Sequence, residues 1–407
     1  MKKIFGMYAG LRREIYVLCF GRFVTAMGSL IWPMLTLILK SKLGFDAEQV
    51  ALWFLIFGIV DIPFKLLGGK LTDRFNKRDT ILICDLISVS LYVTTAFLPL
   101  SMGSLVVYFI GSVFQHMEWP AYDSMIAEMT SDNDRQKAYS LQYLASNLGV
   151  VFAPTLGGLL FNNYLWLSFL ICGLAVFSST MLIFLFVPKT FERAHITNAY
   201  EENEEGNLLH MLMGRKIVLA YIVVGCVAHM IYSQFNYLLP IQMDEMFSEN
   251  GAKFFGMMTS VNGAVVIIFT PLLTQLTLKW DDLKRVRLGI IIQSLGICSY
   301  YFFHDNLIFY FLMMVVFTIG EVLHTLGNSP YISKRIPSSH RGRFVSINNL
   351  ATNFSSKLGN MMVGKIIVMY TFREGWILVF VISMILIMGL GFFSKKDKER
   401  FELLYEA

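Results

Sequence analysis

Twelve stretches of about 20 predominantly apolar residues, set apart by short loops carrying Lys and Arg, leave this chain few folds to choose from. They fall near 15–39, 48–70, 80–100, 104–127, 139–161 and 164–187, then near 217–243, 252–277, 286–304, 307–330, 344–369 and 374–394. Each is long enough for a helix to cross a hydrocarbon core about 30 Å thick. Lipid offers no hydrogen-bond partner to an exposed backbone N–H or C=O, and an α-helix satisfies those groups internally. The expected class is therefore an all-α integral membrane protein of twelve transmembrane helices. Charge content agrees, since 15% of residues are charged where a soluble domain carries about 25%.

One polar stretch interrupts the series. Residues 188–214, with Glu201, Glu202, Glu204 and Glu205, read as a linker between six-helix halves at 1–187 and 215–394, followed by a tail at 395–407. The distribution of Lys and Arg orients the chain. With the N-terminus in the cytoplasm, Lys70 to Arg78, Arg135, Lys137, Lys279 to Arg287, Lys334 to Arg343 and Lys395 to Arg400 fall inside. The outside receives Lys40, Lys42, Lys253 and Arg373. Both termini are expected on the cytoplasmic side of a cell, or inner, membrane. No cleavable signal peptide is expected, because the first apolar run is long enough to span. The halves also echo each other. Ser140 to Gly149 (SLQYLASNLG) and Ser346 to Ser355 (SINNLATNFS) each begin five residues after an Arg, Arg135 or Arg341, at the start of the fifth span of their half. A duplicated, pseudo-symmetric six-helix bundle accounts for that match.

Several functions drop out. The net charge of +5 is spread over loops between apolar runs rather than one soluble face, so nucleic acid is not an expected partner. Cys19, Cys84, Cys172, Cys226 and Cys298 lie apart in apolar segments, with no CxxC and no His at metal-ligand spacing; they read as small core residues, and no metal is expected. HExxH, G-x-S-x-G and P-loop motifs are absent and no soluble domain is apparent, which sets a membrane enzyme or receptor aside.

The most specific motif joins the second and third spans. Gly69-Lys70-Leu71-Thr72-Asp73-Arg74-Phe75-Asn76-Lys77-Arg78 resembles the signature loop of the major facilitator superfamily, G-x-L-x-D-R-x-G-R-R/K, with Asn76 in place of the second glycine. Asn tolerates positive φ better than other residues with a side chain, so the departure is mild. The resemblance implies two six-helix bundles around a central cavity, rocking between inward-facing and outward-facing states. It also implies a conformational latch of Gly69, Asp73, Arg74, Arg78 and Arg135, with the Asp73 carboxylate against the N-terminus of the eleventh span. A degraded counterpart, Lys279-Trp280-Asp281-Asp282-Leu283-Lys284-Arg285, occupies the same loop of the second half. On the fifth span, Gly149 to Gly158 resembles the antiporter motif of drug:proton exporters, G-x-x-x-G-P-x-x-G-G, through Gly149, Pro154, Gly157 and Gly158, with Ala153 replacing one glycine. Small residues let helices approach closely, and Pro154 frees a carbonyl and bends its helix.

Ionisable groups inside a span are costly and mark functional positions. Here they are Arg22, Asp61, Lys65, Asp85, Glu118, Asp123, Glu321, Lys357 and Lys365. Asp85 and Asp123 fall near the cytoplasmic surface and Lys365 can snorkel outward. Glu321 leads, because Thr318-Ile319-Gly320-Glu321-Val322 resembles the tenth span of Gram-positive multidrug:proton antiporters, whose Glu carries the coupling proton. Apolar surroundings favour the neutral form of any carboxylic acid, so a proton and a cationic substrate can compete for one charge. A structural ion pair with Lys357 is the competing reading. Those antiporters carry acids where this chain has Gln142 and Asn236, and the basic residue typical of the fourth span is replaced by Tyr108, so coupling through these positions does not transfer. Asp61 and Lys65 share a helical face, with Arg22 at similar depth; the three form either a site for a zwitterionic head group or a self-neutralised triad. His116 and Glu118, just before Pro120, make a further proton or cation site, although two positions apart they do not share a face.

The expected function is secondary active transport by a proton-coupled antiporter exporting amphiphilic or cationic compounds. Glu321, Asp61 and Glu118 are the proton-coupling candidates, and Arg22, Trp32, Lys65, Trp119, Phe235, Asn236, Tyr237 and Lys357 the candidate substrate-cavity lining. No cofactor is expected beyond the coupling ion, H+, and the chain is expected to act as a monomer in the bilayer on a small-molecule substrate. Proton-coupled uptake of a nutrient, or movement of a zwitterionic or lipid-like substrate, is the alternative that Arg22, Asp61 and Lys65 recommend.

Overall fold

A computed structural model of the chain describes residues 9–130, 132–189, 216–302, 306–335 and 338–402, and every regular element among them is helical. The longer helices are α1 (Arg13–Gly28), α2 (Ile31–Leu37), α3 (Ala47–Arg74), α4 (Lys77–Phe97), α5 (Met102–Met129), α6 (Asp132–Leu160) and α7 (Leu165–Phe186), then α8 (Lys216–Tyr232), α9 (Leu238–Phe247), α10 (Gly251–Leu276), α11 (Asp282–Cys298), α12 (Leu307–Arg335), α13 (Ser338–Met369) and α14 (Phe372–Arg400). They fall where the apolar runs fall. Among the described residues, eight stretches are apolar and long enough to cross a membrane, with Lys216–Leu276 counted as one. Most of the expected linker lies outside the described residues.

Two apolar runs are broken, and the breaks match. The first run divides at Ser29 and Leu30 into α1 and α2, and the seventh divides over Ser233 to Tyr237 into α8 and α9. Half-helix α2 opens Ile31-Trp32-Pro33, and α9 opens Leu238-Leu239-Pro240. Proline has no N–H for the carbonyl four residues back and its ring crowds that carbonyl, yet the first helical turn tolerates it. A proline third in each half-helix therefore ends one segment and opens the next. The equal placement in the first span of each half is a second trace of duplication.

The loops before α4 and α11 correspond as well. Asn76 has φ −62° and ψ 126°, ordinary extended backbone rather than the positive φ its place in the signature loop suggests. Its side chain accepts the Asp79 N–H at 3.3 Å and caps α4. Asp281 caps α11 in the same way, accepting the Lys284 N–H at 2.7 Å.

The chain divides into two compact units: Met1–Gly44 with Ile56–Asn198 and Glu249–Ala264, and Phe45–Leu55 with Ala199–Ser248 and Val265–Ala407. In the first unit, α1 packs on α6 and α7, and α4 packs on α5 and α7. Ile15, Leu18, Ile81, Tyr122, Met125 and Ile183 form a core where α1, α4, α5 and α7 meet, and the Tyr122 hydroxyl donates to the Leu18 carbonyl. Lipid tails are as apolar as leucine, so helix contacts here rest on close packing and hydrogen bonds rather than on exclusion of water. Close approach follows at glycine: a Cβ added to Gly157 would lie 2.7 Å from the Leu30 carbonyl oxygen.

In the second unit α11 crosses α12 at Gly289, Gly296, Gly320 and Gly327, the last with room for a Cβ only 2.6 Å from the Asp282 carbonyl oxygen. Helix α8 packs on α13 and α14. Buried Trp376 donates Nε1–H to Gln242 Oε1 at 2.7 Å, and Gln242 Nε2 donates to the Tyr300 carbonyl at 3.1 Å. The deepest ion pair joins α12 to α14. Arg335 Nε and Nη2 meet the two Asp397 oxygens at 3.1 and 2.6 Å, the Tyr331 hydroxyl donates to Asp397 at 2.7 Å, and the paired side chains are 3% and 0% exposed. Removing one partner of such a pair costs about 3–5 kcal/mol, because the other charge is left buried. Asp397→Ala is expected to lower the thermal unfolding midpoint in detergent sharply, and Arg335→Met combined with Asp397→Leu to regain much of the loss. Equal midpoints for wild type and Asp397→Ala would exclude the pair as a stabilising unit.

Candidate ion and substrate site

Helix α5 places two charged groups toward two different neighbours. Residues two apart on a helix point about 200° apart, so Glu118 reaches α1 while His116 reaches α3. Arg22 on α1 donates Nη1–H to Glu118 Oε1 at 3.4 Å. Its guanidinium also lies over the rings of Tyr122, at 4.2 Å, and Trp119, at 5.7 Å. Glu118 is 3% exposed, and its Oε2 has no hydrogen-bond partner among the described residues. On α3, Asp61 holds Lys65 Nζ at 2.6 Å through one oxygen and His116 Nδ1 at 2.8 Å through the other. The triad of Arg22, Asp61 and Lys65 read from the sequence is thus divided: Arg22 takes Glu118, and His116 completes the group around Asp61.

Trp119 connects the two groups. Lys65 Nζ lies 5.9 Å from its ring centroid, and the His116 ring meets it edge-on at 4.8 Å. Trp119 and Lys65 are both exposed, with Asp61 and Glu118 beneath them. A cation over an indole face is attracted by the ring quadrupole, so the indole links Arg22 and Lys65 without a hydrogen bond. What brings α3 to α5 is Gly68, where an added Cβ would lie 2.8 Å from Met117 Cα; Gly69 of the signature loop has nothing within 4 Å. The adjacent glycine pair was visible in the sequence, but which of the two faces α5 was not. Deeper in the same unit, buried Asp85 accepts from Thr180 Oγ1 at 2.8 Å, while exposed Asp123 accepts from Gln142 Nε2 at 3.2 Å.

In the second unit the Tyr232 hydroxyl, at the end of α8, donates to Glu321 Oε1 at 3.1 Å. Tyr232 stacks on Phe317, one turn before Glu321, at 5.8 Å. Lys357 Nζ lies over the Phe54 ring at 5.3 Å. The remaining lining candidates gather at the helix breaks. Trp32 is exposed beside Pro33; Asn236 is exposed, whereas Phe235 and Tyr237 are buried, the Tyr237 hydroxyl donating to the Ala47 carbonyl. Tyr232 was missed in the sequence because nothing there sets α8 against α12.

The side chains of Asp73 and Arg135, the two ends of the expected latch, lie outside the described residues. Arg74 is exposed, and Arg78 donates Nη2–H to the Phe184 carbonyl at 2.6 Å. The antiporter-motif positions serve two neighbours. Gly149 and Gly157 admit α1 and Leu30, while Gly158 admits α10 at Ala252, with Lys253 Cα 3.0 Å from an added Cβ. The Pro154 carbonyl sits against Gly256, and Thr155 Oγ1 pairs with Ser260 Oγ at 2.7 Å. Arg22→Ala, which strands Glu118, is expected to destabilise the protein by about 3 kcal/mol, and Arg22→Ala with Glu118→Gln to recover more than half. Strict additivity in that double-mutant cycle would rule out coupling between the two.

Comparison with known proteins agrees with this architecture. Residues 18–360 match the family model of the Major Facilitator Superfamily. A Na(+), Li(+), K(+)/H(+) antiporter of Planococcus maritimus is 21% identical over 91% of this chain and 93% of its own length. The quinolone resistance protein NorA of Staphylococcus aureus is 25% identical over 36% of this chain and 38% of its own. Among solved structures, the nucleoside transporter NupG superposes with a TM-score of 0.74 at 13% identity, covering 93% of this chain and 98% of that one. Helices throughout, apolar runs of spanning length and a family match over most of the chain converge: this multi-pass membrane protein belongs to the Major Facilitator Superfamily and is a secondary transporter, not an enzyme.

Proposed function

We propose that the chain is a proton-coupled antiporter that exports cationic or amphiphilic small molecules by alternating access. The observation that carries this reading is Glu118, a buried carboxyl group with one ion pair, at 3.4 Å, and a second oxygen without a partner among the described residues. Such an oxygen is a place for a proton. Ionised, Glu118 holds Arg22; protonated, it releases a cation that must then find another partner, so proton uptake rearranges charge beside Trp119. Glu321 is the corresponding acid of the second unit, with Tyr232 as its hydroxyl donor. Asp61 is the third acid of the set.

Two further observations support exchange. The paired breaks at Pro33 and Pro240 interrupt corresponding spans of the two halves, a recurring pointer to a transporter's binding site, and they carry Trp32, Asn236 and Tyr237. The Planococcus relative is named as a cation/proton antiporter and the partial relative as a quinolone resistance protein, so alkali cations join organic cations as substrates to be tried. The reading takes residues 1–187 and 215–394 as the six-helix halves, with both termini in the cytoplasm, the chain monomeric in the cell membrane, and Asp73 and Arg135 as a latch on the cytoplasmic side.

A second reading, transport of a zwitterionic substrate, draws on the exposed Lys65 and Trp119 above buried Asp61, which offer an anionic group both a cation and an aromatic face. Thermal stabilisation by cationic dyes against lysolipids and peptides separates the two. For the main reading, purified protein in liposomes with an imposed pH gradient is expected to drive ethidium or Na+ against its gradient. Glu118→Gln and Glu321→Gln are each expected to reduce that flux at least tenfold. Flux indifferent to the pH gradient in the wild type would eliminate proton coupling; full flux in Glu118→Gln would eliminate its role.

A further inference from the structure

His116 stands apart from the acids invoked so far. Its Nδ1 is 2.8 Å from Asp61 Oδ1, and Lys65 Nζ holds the other Asp61 oxygen at 2.6 Å. While Asp61 is ionised beside Lys65, its carboxylate can only accept hydrogen bonds. In the neutral imidazole the N–H therefore sits on Nδ1, and Nε2 is left as the basic nitrogen. The side chain is 18% exposed, so the ring is not sealed inside the unit. The charged groups next to it are Asp61, which its Nδ1 contacts, and Lys65 on the same carboxylate; Arg22 and Glu118 form a second pair that reaches His116 only across the Trp119 ring. With all four ionised they balance, and a proton on His116 tips the group positive.

We infer that His116 is a proton-binding residue of the transport cycle, taking up a proton at Nε2 while Asp61 retains Nδ1–H, and that the resulting imidazolium expels a cationic substrate from the Trp119 face. The step forms one N–H bond from a water-borne proton and breaks none in the protein; the proton leaves by the same atom. The inference rests on the exchange reading above and adds to it a specific residue and a direction. Proton and cation exclude each other at one place, with Trp119 in contact with both. Histidine suits the task because its ring can carry one proton or two, donating at both nitrogens when charged.

The test uses His116→Asn, whose amide N–H takes the place of Nδ1–H toward Asp61 but cannot be protonated. A purely positional role survives this change; proton binding does not. An imidazolium quenches an indole it touches, so Trp119 emission from the full-length protein in detergent is expected to fall on acidification between about pH 8 and 5. That step is expected to vanish in Trp119→Phe and to shrink to a minor remainder in His116→Asn. Over the same range wild-type affinity for tetraphenylphosphonium is expected to drop about tenfold, and that of His116→Asn to drop markedly less. His116→Gln carries the same expectation should the Asn variant fail to fold. A pH step or an affinity change as large in these variants as in the wild type overturns the inference, as does wild-type affinity that is independent of pH. Because emission is read without transport, a failure of proton-driven exchange in liposomes is distinguishable from a failure at His116.

Discussion

Inside a bilayer a charge or a backbone N–H has only the protein to answer it, and most of this structure follows from that scarcity. Backbone groups are answered within helices. Ionisable side chains are answered by one another or by hydroxyls: Glu118 by Arg22, Asp61 by Lys65 and His116, Asp85 by Thr180, Glu321 by Tyr232, Asp397 by Arg335 and Tyr331. Such partners meet within about 3 Å because their long side chains bridge helices that are already packed closely. Gly68 supplies that close packing between α3 and α5, beside Asp61 and His116, and Gly157 and the glycines of the α11–α12 crossing supply it elsewhere.

Around α5 two charge groups are paired separately and joined through one ring. Glu118 and His116 point to opposite neighbours, yet Trp119 touches the cations of both groups. A change in protonation on either side alters what the indole faces. Neither pair is as tightly enclosed as Arg335 with Asp397, whose bidentate geometry and burial suit a fixed structural role. The Arg22–Glu118 pair, at 3.4 Å, leaves one carboxylate oxygen without a partner among the described residues, whereas Arg335 and Asp397 close at 2.6 Å with both oxygens engaged.

The fold class was legible because spanning helices announce themselves by length and hydropathy, and the superfamily because the loop from Gly69 to Arg78 has few substitutes. Partner choice was not legible. Arg22, Asp61, Lys65 and Glu118 were all recognisable as intramembrane charges, but which acid meets which base depends on helix rotation and lateral order, and neither leaves a local mark in sequence. The helix breaks were within reach: Pro33 and Pro240 each deny a hydrogen bond to the carbonyl four residues earlier, and the matching positions in two halves could have been read together. Asn76 misled in the opposite way. Its place in a glycine-bearing motif suggested an unusual backbone, whereas its side chain is used as a helix cap.

The clamp between Arg335 and Asp397 has a bearing on how the protein is made. The two residues are 62 positions apart in the chain, and α13 and most of α14 are synthesised between them. For that interval a guanidinium destined for a dry interior has no carboxylate to meet. The second unit's buried charge is therefore answered only once its last helix is in place, and a chain cut short between these residues leaves Arg335 without Asp397.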